Sequence, residues 1–343
     1  MSELDRILAD AVAAGQVPFV VAMTASSAGT TWSGAAGESR AGCTASVDTV
    51  FRIFSMTKAV GSTAAMVLMD RGQLKPDTPV AEILPQFARL QVLDGFDAKG
   101  RPRLRPPRTQ ATVRHLATHT SGLVYEFWNP IMPRYMQATG HRTVVSGLRS
   151  ALNYPLLFDP GARWDYGPGI DWLGQVVEKV DGRSIDRFCN EEIFQPLGMT
   201  STRFEVEPDI ADRLASVRIR GEDGNFSDYE LALPAKPEFY GMGHALYSTA
   251  PDYLRFLRMF LNQGQLDGRR IFSERGLASM LANQIGDIEI PCLKSVVPAK
   301  STDVEFFAGR RKSHSMAFVR IEEDVPGMRS AGSQFWAGVC NTH

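Results

Sequence analysis

Cysteine is scarce in this chain of 343 residues. There are four, Cys43, Cys189, Cys292 and Cys340, and no two form a C-x-x-C pair. Such long spacings exclude a disulfide framework and a zinc ribbon, and they suit free thiols in a reducing compartment. Charge of one sign is lacking as well. Basic and acidic residues number 37 and 38, for a net charge of −1, which argues against a strongly steered nucleic-acid binder. Long apolar runs are missing. Val17–Met23 and Ala64–Met69 are the longest, far short of the roughly 20 residues that span a bilayer. Asp5 and Asp10 interrupt the N-terminus before a signal-peptide core can form. The expectation is a cytoplasmic protein with no nucleic-acid and no membrane partner.

What is present suits a globular fold, with 44% hydrophobic and 22% charged residues, 30 Gly and 20 Pro. At about 150 residues per domain, the length leans towards two domains. Leu4, Ile7, Leu8 and Val12 give residues 3–14 helical spacing, stopped by Gly15. Val17–Thr24 and Thr31–Gly37 read as a hairpin joined by Ser26–Thr30. Lys58–Arg71 is apolar on nearly all sides and ends at Gly72, the pattern of a helix buried at a domain centre. Residues 94–110, with Arg101, Arg103, Arg105 and Arg108, read as a solvated loop rather than an anion patch. Helical patterns dominate from Val113 to Phe204, and residues 205–240 are irregular. Helices follow at Ala250–Asn262 and Ser273–Asn283, then strands at about Glu305–Phe307, Ser315–Glu322 and Gly332–Cys340. The fold class expected is α/β (α+β). Residues 1–80 and 241–343 would form a domain with an antiparallel sheet flanked by helices, and residues 81–240 an inserted, mainly helical domain.

Ser55-Met-Thr-Lys58 is the leading chemical candidate. Residues three apart share a helix face, so the Lys58 amine can reach the Ser55 hydroxyl. Serine needs a base to become a nucleophile, and burial lowers the proton affinity of a lysine until it can serve as one. An S-x-x-K occurs by chance in many chains. Here it opens an otherwise apolar helix, where an idle lysine would be costly. Tyr166 lies on a Pro/Gly-framed loop, Pro160–Gly169. There it is either an exposed proton carrier, a phenolate beside an ammonium, or an aromatic packed beneath the loop. His115 and His119 form an H-x-x-x-H pair without the glutamate or third ligand of a zinc site. That segment reads instead as a helix end with Gly122 as C-cap. Gly241-Met-Gly-His-Ala is too short for a phosphate cradle and suggests a glycine-lined turn near a ligand.

Several ordered blocks carry a resemblance: Phe51-Arg-Ile-Phe-Ser-Met-Thr-Lys58, Thr112-Val-Arg-His-Leu-Ala-Thr-His-Thr-Ser-Gly-Leu123, Phe158-Asp-Pro-Gly-Ala-Arg-Trp-Asp-Tyr166, Ile193–Thr200, Ala245–Tyr253 and Gly332–Gly338. Together they resemble the serine beta-lactamase-like superfamily of class C beta-lactamases and D-alanyl-D-alanine peptidases, and most closely its family VIII carboxylesterases. The resemblance implies that Ser55 is acylated, that Lys58 is the base or proton shuttle, and that Tyr166 shares that role. It places Trp336-Ala337-Gly338 where lactamases carry Lys-Thr-Gly, and it assigns the oxyanion hole to the amides of Ser55 and Val339.

Two departures bear on substrate. Gly167 and Pro168 replace a small residue and asparagine after the tyrosine, and Trp336 replaces the strand lysine. Loss of an amide and a cation weakens recognition of beta-lactam acids. Tyr125, Phe127, Trp128 and Tyr135 either wall an apolar acyl pocket or belong to ordinary core. The family continues past its Trp-x-Gly strand with two strands and a helix. The chain stops at His343, so the resemblance implies a sheet short of its edge. The expected activity is hydrolysis of short-chain or aryl esters, with a small-molecule ester or amide as the only partner and no cofactor and no metal. Beta-lactamase, peptidase and acyltransferase activities, or an inert ligand binder, are the alternatives, and no oligomeric state follows from the sequence.

Overall fold

Ser2 caps the first helix, Glu3–Ala13, through a reciprocal capping box with Asp5. The structure, a computed structural model, describes residues 2–231, 233–298 and 301–343. That helix lies on an antiparallel hairpin of Phe19–Ala25 and Thr30–Arg40, registered from Phe19 opposite Gly37 to Thr24 opposite Trp32. Cys43–Thr44 adds a short third strand. A second three-stranded antiparallel sheet comprises Lys312–His314, Val319–Ile321 and Gln334–Phe335.

Two rungs of ladder position the centre of the molecule. Phe51 and Arg52 pair antiparallel with Ser248 and Tyr247, and the Ile53 amide donates to the Leu246 carbonyl at 3.1 Å. The segment before Ser55 is thereby tied to the turn at Gly241–Leu246. The helix Thr57–Asp70 follows, with every residue from Thr57 to Leu68 buried. The helix Gly169–Asp181 crosses it closely because Gly61 has no side chain. A Cβ at Gly61 would stand 2.9 Å from Met242 and 3.0 Å from Ile170. The buried core is continuous from Ile53 to Val319 and includes residues on both sides of positions 80 and 240.

Several elements differ from the sequence expectation. Residues 94–110 are not a plain loop, because Val92–Phe96 and Pro102–Arg105 pair as a hairpin. The Asp97 carboxylate accepts the Lys99 and Arg101 amides and closes its tip, while Arg105 holds Asp159 through both guanidinium nitrogens. Glu305–Phe307 forms no strand. Phe307 turns at φ 49°, and its ring packs on Phe335. The expected strand Ser315–Glu322 is a turn followed by Val319–Ile321, because the Ser315 hydroxyl accepts the Ala317 and Phe318 amides. The expected strand Gly332–Cys340 is reduced to Gln334–Phe335. Beyond it the chain reverses through Cys340 and Asn341, both at positive φ, so that Gly338 bridges Thr342. Among the described residues no helix is long and apolar enough to cross a membrane.

Candidate active site

Ser55 sits in the 3-10 turn Phe54–Met56 immediately before the buried helix. Phe54 precedes it at φ 43°, a conformation that a side chain tolerates only when its surroundings enforce it. One turn on, the Lys58 amine lies 3.0 Å from the Ser55 hydroxyl and donates to the Gly243 carbonyl at 2.8 Å. The Tyr166 hydroxyl donates to Ser55 Oγ from the other side at 2.6 Å. The residues that sequence reasoning singled out for chemistry therefore meet in one hydrogen-bonded row.

The loop bearing Tyr166 is clamped to the segment after His119. The Tyr125 amide donates to the Tyr166 carbonyl at 3.0 Å, and the Asp165 amide to the His119 carbonyl at 3.0 Å. Gly167 makes this approach possible, since a Cβ there would collide with the Leu123 carbonyl. Rings close the walls. Tyr166 meets Tyr125 at 5.0 Å, Trp336 at 5.1 Å and His119 at 4.9 Å between centroids. Phe127 stacks on Tyr125 and reaches Trp128, and Phe306 adjoins Trp336. Tyr135 packs instead beside His141. Gly338 faces the nucleophile turn, where a Cβ would lie 3.3 Å from the Ser55 amide. Val339 is 54% exposed in the turn that follows, so its amide belongs to a turn and not to the expected strand.

Burial sets the electrostatics. Lys58 is 2% exposed, and desolvation lowers its pKa to about 7, partly opposed by the negative charge of Asp171. Its nitrogen stands 4.8 Å from the Tyr166 ring centroid and 5.1 Å from that of Tyr125. Burial pushes the Tyr166 phenol far up despite its bond to Ser55. Tyr166 is therefore a neutral donor, which replaces the phenolate considered from the sequence. Desolvation holds His119 well below the usual imidazole range and His314 down to about 4.

The His115/His119 pair is not a ligand pair. The helix ends at Ala117, so Gly122, at φ 92° in the next turn, is not its C-cap. His115 is occupied in a capping box with Thr112, while His119 stacks on Trp336. Among the described residues no group of three His, Cys, Asp or Glu could hold a metal ion, and all four cysteines are free thiols. Sequence reasoning missed Asp171, His244 and His314. An acid between Ile170 and Trp172 in an otherwise apolar helical stretch was the available signal for Asp171. The glycine-lined turn Gly241–Ala245 meets Lys58 through the Gly243 carbonyl.

Known proteins carry the same arrangement of fold. The acyltransferase mokF of Monascus pilosus is 33% identical over 289 residues, 80% of this chain and 69% of that protein. The lovastatin esterase of Penicillium rubens is 32% identical over 236 residues, which cover 64% of this chain and only 57% of that protein's length. Among solved structures, the unliganded simvastatin synthase LovD of Aspergillus terreus matches with a TM-score of 0.83 at 28% identity, over 98% of this chain and 86% of that one. The mixed helices and antiparallel sheets are thus the beta-lactamase/transpeptidase-like fold. The Beta-lactamase family model matches residues 4–287, and the chain belongs to this family of serine hydrolases and acyltransferases.

Proposed function

We propose that the protein cleaves short-chain or aryl carboxylic esters through an acyl-enzyme on Ser55. The observation that carries this reading is the row Tyr166–Ser55–Lys58, in which one hydroxyl lies within hydrogen-bond reach of a phenol and of an amine whose pKa is about 7. Ser55 Oγ attacks the ester carbonyl carbon and its proton passes to neutral Lys58. The amides of Ser55 and Val339 would hold the oxyanion. Collapse breaks the bond to the leaving alcohol, whose oxygen receives the proton from Lys58 by way of the Tyr166 hydroxyl. Water then attacks the acyl group by the reverse sequence and releases the acid. Trp336, Gly338, Tyr125 and Trp128 would line the path of the substrate.

A second reading, transfer of the acyl group to an alcohol, is favoured by the aromatic walls, which suit an apolar acceptor better than bulk water, and by the likeness to mokF. Beta-lactam turnover is disfavoured by Gly167, Pro168 and Trp336. The test uses p-nitrophenyl butyrate. Wild-type protein should release a burst of nitrophenol stoichiometric with enzyme, and Ser55→Ala should abolish turnover. Near-normal activity in that variant would end the proposal. An added alcohol that accelerates nitrophenol release and yields a new ester identifies transfer, and nitrocefin should be turned over poorly.

A further inference from the structure

Asp171 is fully buried on the helix Gly169–Asp181. Its Oδ1 accepts the Gly243 amide at 2.8 Å, and the carbonyl of that same glycine accepts the Lys58 amine at 2.8 Å. Carboxylate, Gly243 backbone and amine thus form one chain ending at Ser55, with the N–H and C=O of Gly243 in successive peptide groups. The turn that supplies the peptide is shaped around the carboxylate. A Cβ at Gly241 would stand 2.9 Å from Asp171 Oδ1, and one at Gly243 would stand 2.9 Å and 3.0 Å from the two carboxylate oxygens. Asp171 Oδ2 has no hydrogen-bond partner among the described residues. A carboxylate buried this way is costly unless a positive charge balances it.

We propose that Asp171 is a positioning residue for the ester chemistry: by holding the Gly243 N–H it fixes the turn in which the Gly243 carbonyl aims the Lys58 amine at Ser55, and it supplies the buried negative charge that balances the ammonium form. This inference rests on the acyl-enzyme reading. The other groups facing the amine do not supply that charge. Tyr125 and Tyr166 present rings to it. His244, on the turn 3.8 Å from Asp171 Oδ1, and His119 are both held towards the neutral form by burial.

Asp171→Asn keeps an oxygen for the Gly243 amide and removes only the charge. The acid limb of its kcat/KM against pH should move down by about one unit, because an opposite charge nearby favours the charged amine. Asp171→Ala, which also frees the peptide, should lose kcat at every pH with KM little changed. NMR of 13C-labelled lysine follows the Lys58 titration without turnover, and its midpoint should fall in Asp171→Asn alongside the acid limb. An unmoved midpoint overturns the inference even if esterase activity is found. A wild-type protein without Ser55-dependent turnover but with the shifted midpoint overturns the function reading and keeps the charge pairing. Should D171N fail to fold, Gly243→Ala tests the link from the other side by crowding the carboxylate, along with the Tyr125 hydroxyl 2.8 Å from the added Cβ, whose disturbance would show in KM. Loss of kcat with KM retained supports the inference, and wild-type kcat overturns it.

Discussion

At Lys58 a side chain that ordinarily carries a charge is held inside the protein with hydrogen bonds to Ser55 and Gly243 alone. Its pKa falls from 10.5 to about 7. The folded state therefore binds the proton less tightly than the unfolded chain does. The stability penalty is largest below pH 7, roughly 5 kcal/mol at about 1.36 kcal/mol per unit, and it vanishes as pH rises past 10.5. Lys58→Met should accordingly be inactive, and once the Asp171 charge is also removed, Lys58→Met/Asp171→Asn should be more stable than Asp171→Asn alone at pH 7, with the difference in urea midpoint narrowing towards pH 10. The same shift sets the rate profile. The neutral amine is the base, so wild-type kcat/KM should rise about tenfold per unit below pH 7 and level above it. Tyr166→Phe removes the donor to Ser55 while keeping the ring that packs on Tyr125 and Trp336. It should lower kcat by about 100-fold with the thermal midpoint nearly unchanged.

At the scale of elements, the buried helix was legible in the sequence because Ala, Val, Met and Leu surround it on every side, and the serine–lysine pair was legible because it opens that helix. The Pro/Gly-framed loop at Tyr166 was legible for the same kind of reason: its glycines mark close approaches that no other residue allows. Gly167→Ala should thus destabilise the protein by about 2–3 kcal/mol in urea titrations, by driving a methyl group into the Leu123 carbonyl, and should misplace Tyr166. What escaped the sequence was set by contacts remote in the chain. Asp171 gains meaning only when Gly243 reaches it. The final strands were overestimated because Phe306, Phe307, Phe335 and Trp336 look like strand residues, yet their rings pack on one another around turns. His119 and Gly122 resembled a helix end until the helix stopped earlier, at Ala117.

Over the whole molecule, buried His119 and His314 and half-buried His244 have their pKa values pushed below 6.5. Protons bind the unfolded chain first as pH falls, so these groups leave stability intact above pH 6.5 and withdraw it progressively towards pH 4. Chemical denaturation at pH 7.5 and pH 5 should show the loss, and His314→Gln should reduce the difference. The two-rung pairing of Phe51–Arg52 with Tyr247–Ser248 has a kinetic consequence. The amine and its carbonyl partner are separated by 185 residues, so the active arrangement waits on the closure of one very long loop, and contacts of that span form slowly. During refolding from urea, far-UV circular dichroism should recover before ester turnover does, leaving a transient population that is helical but catalytically silent.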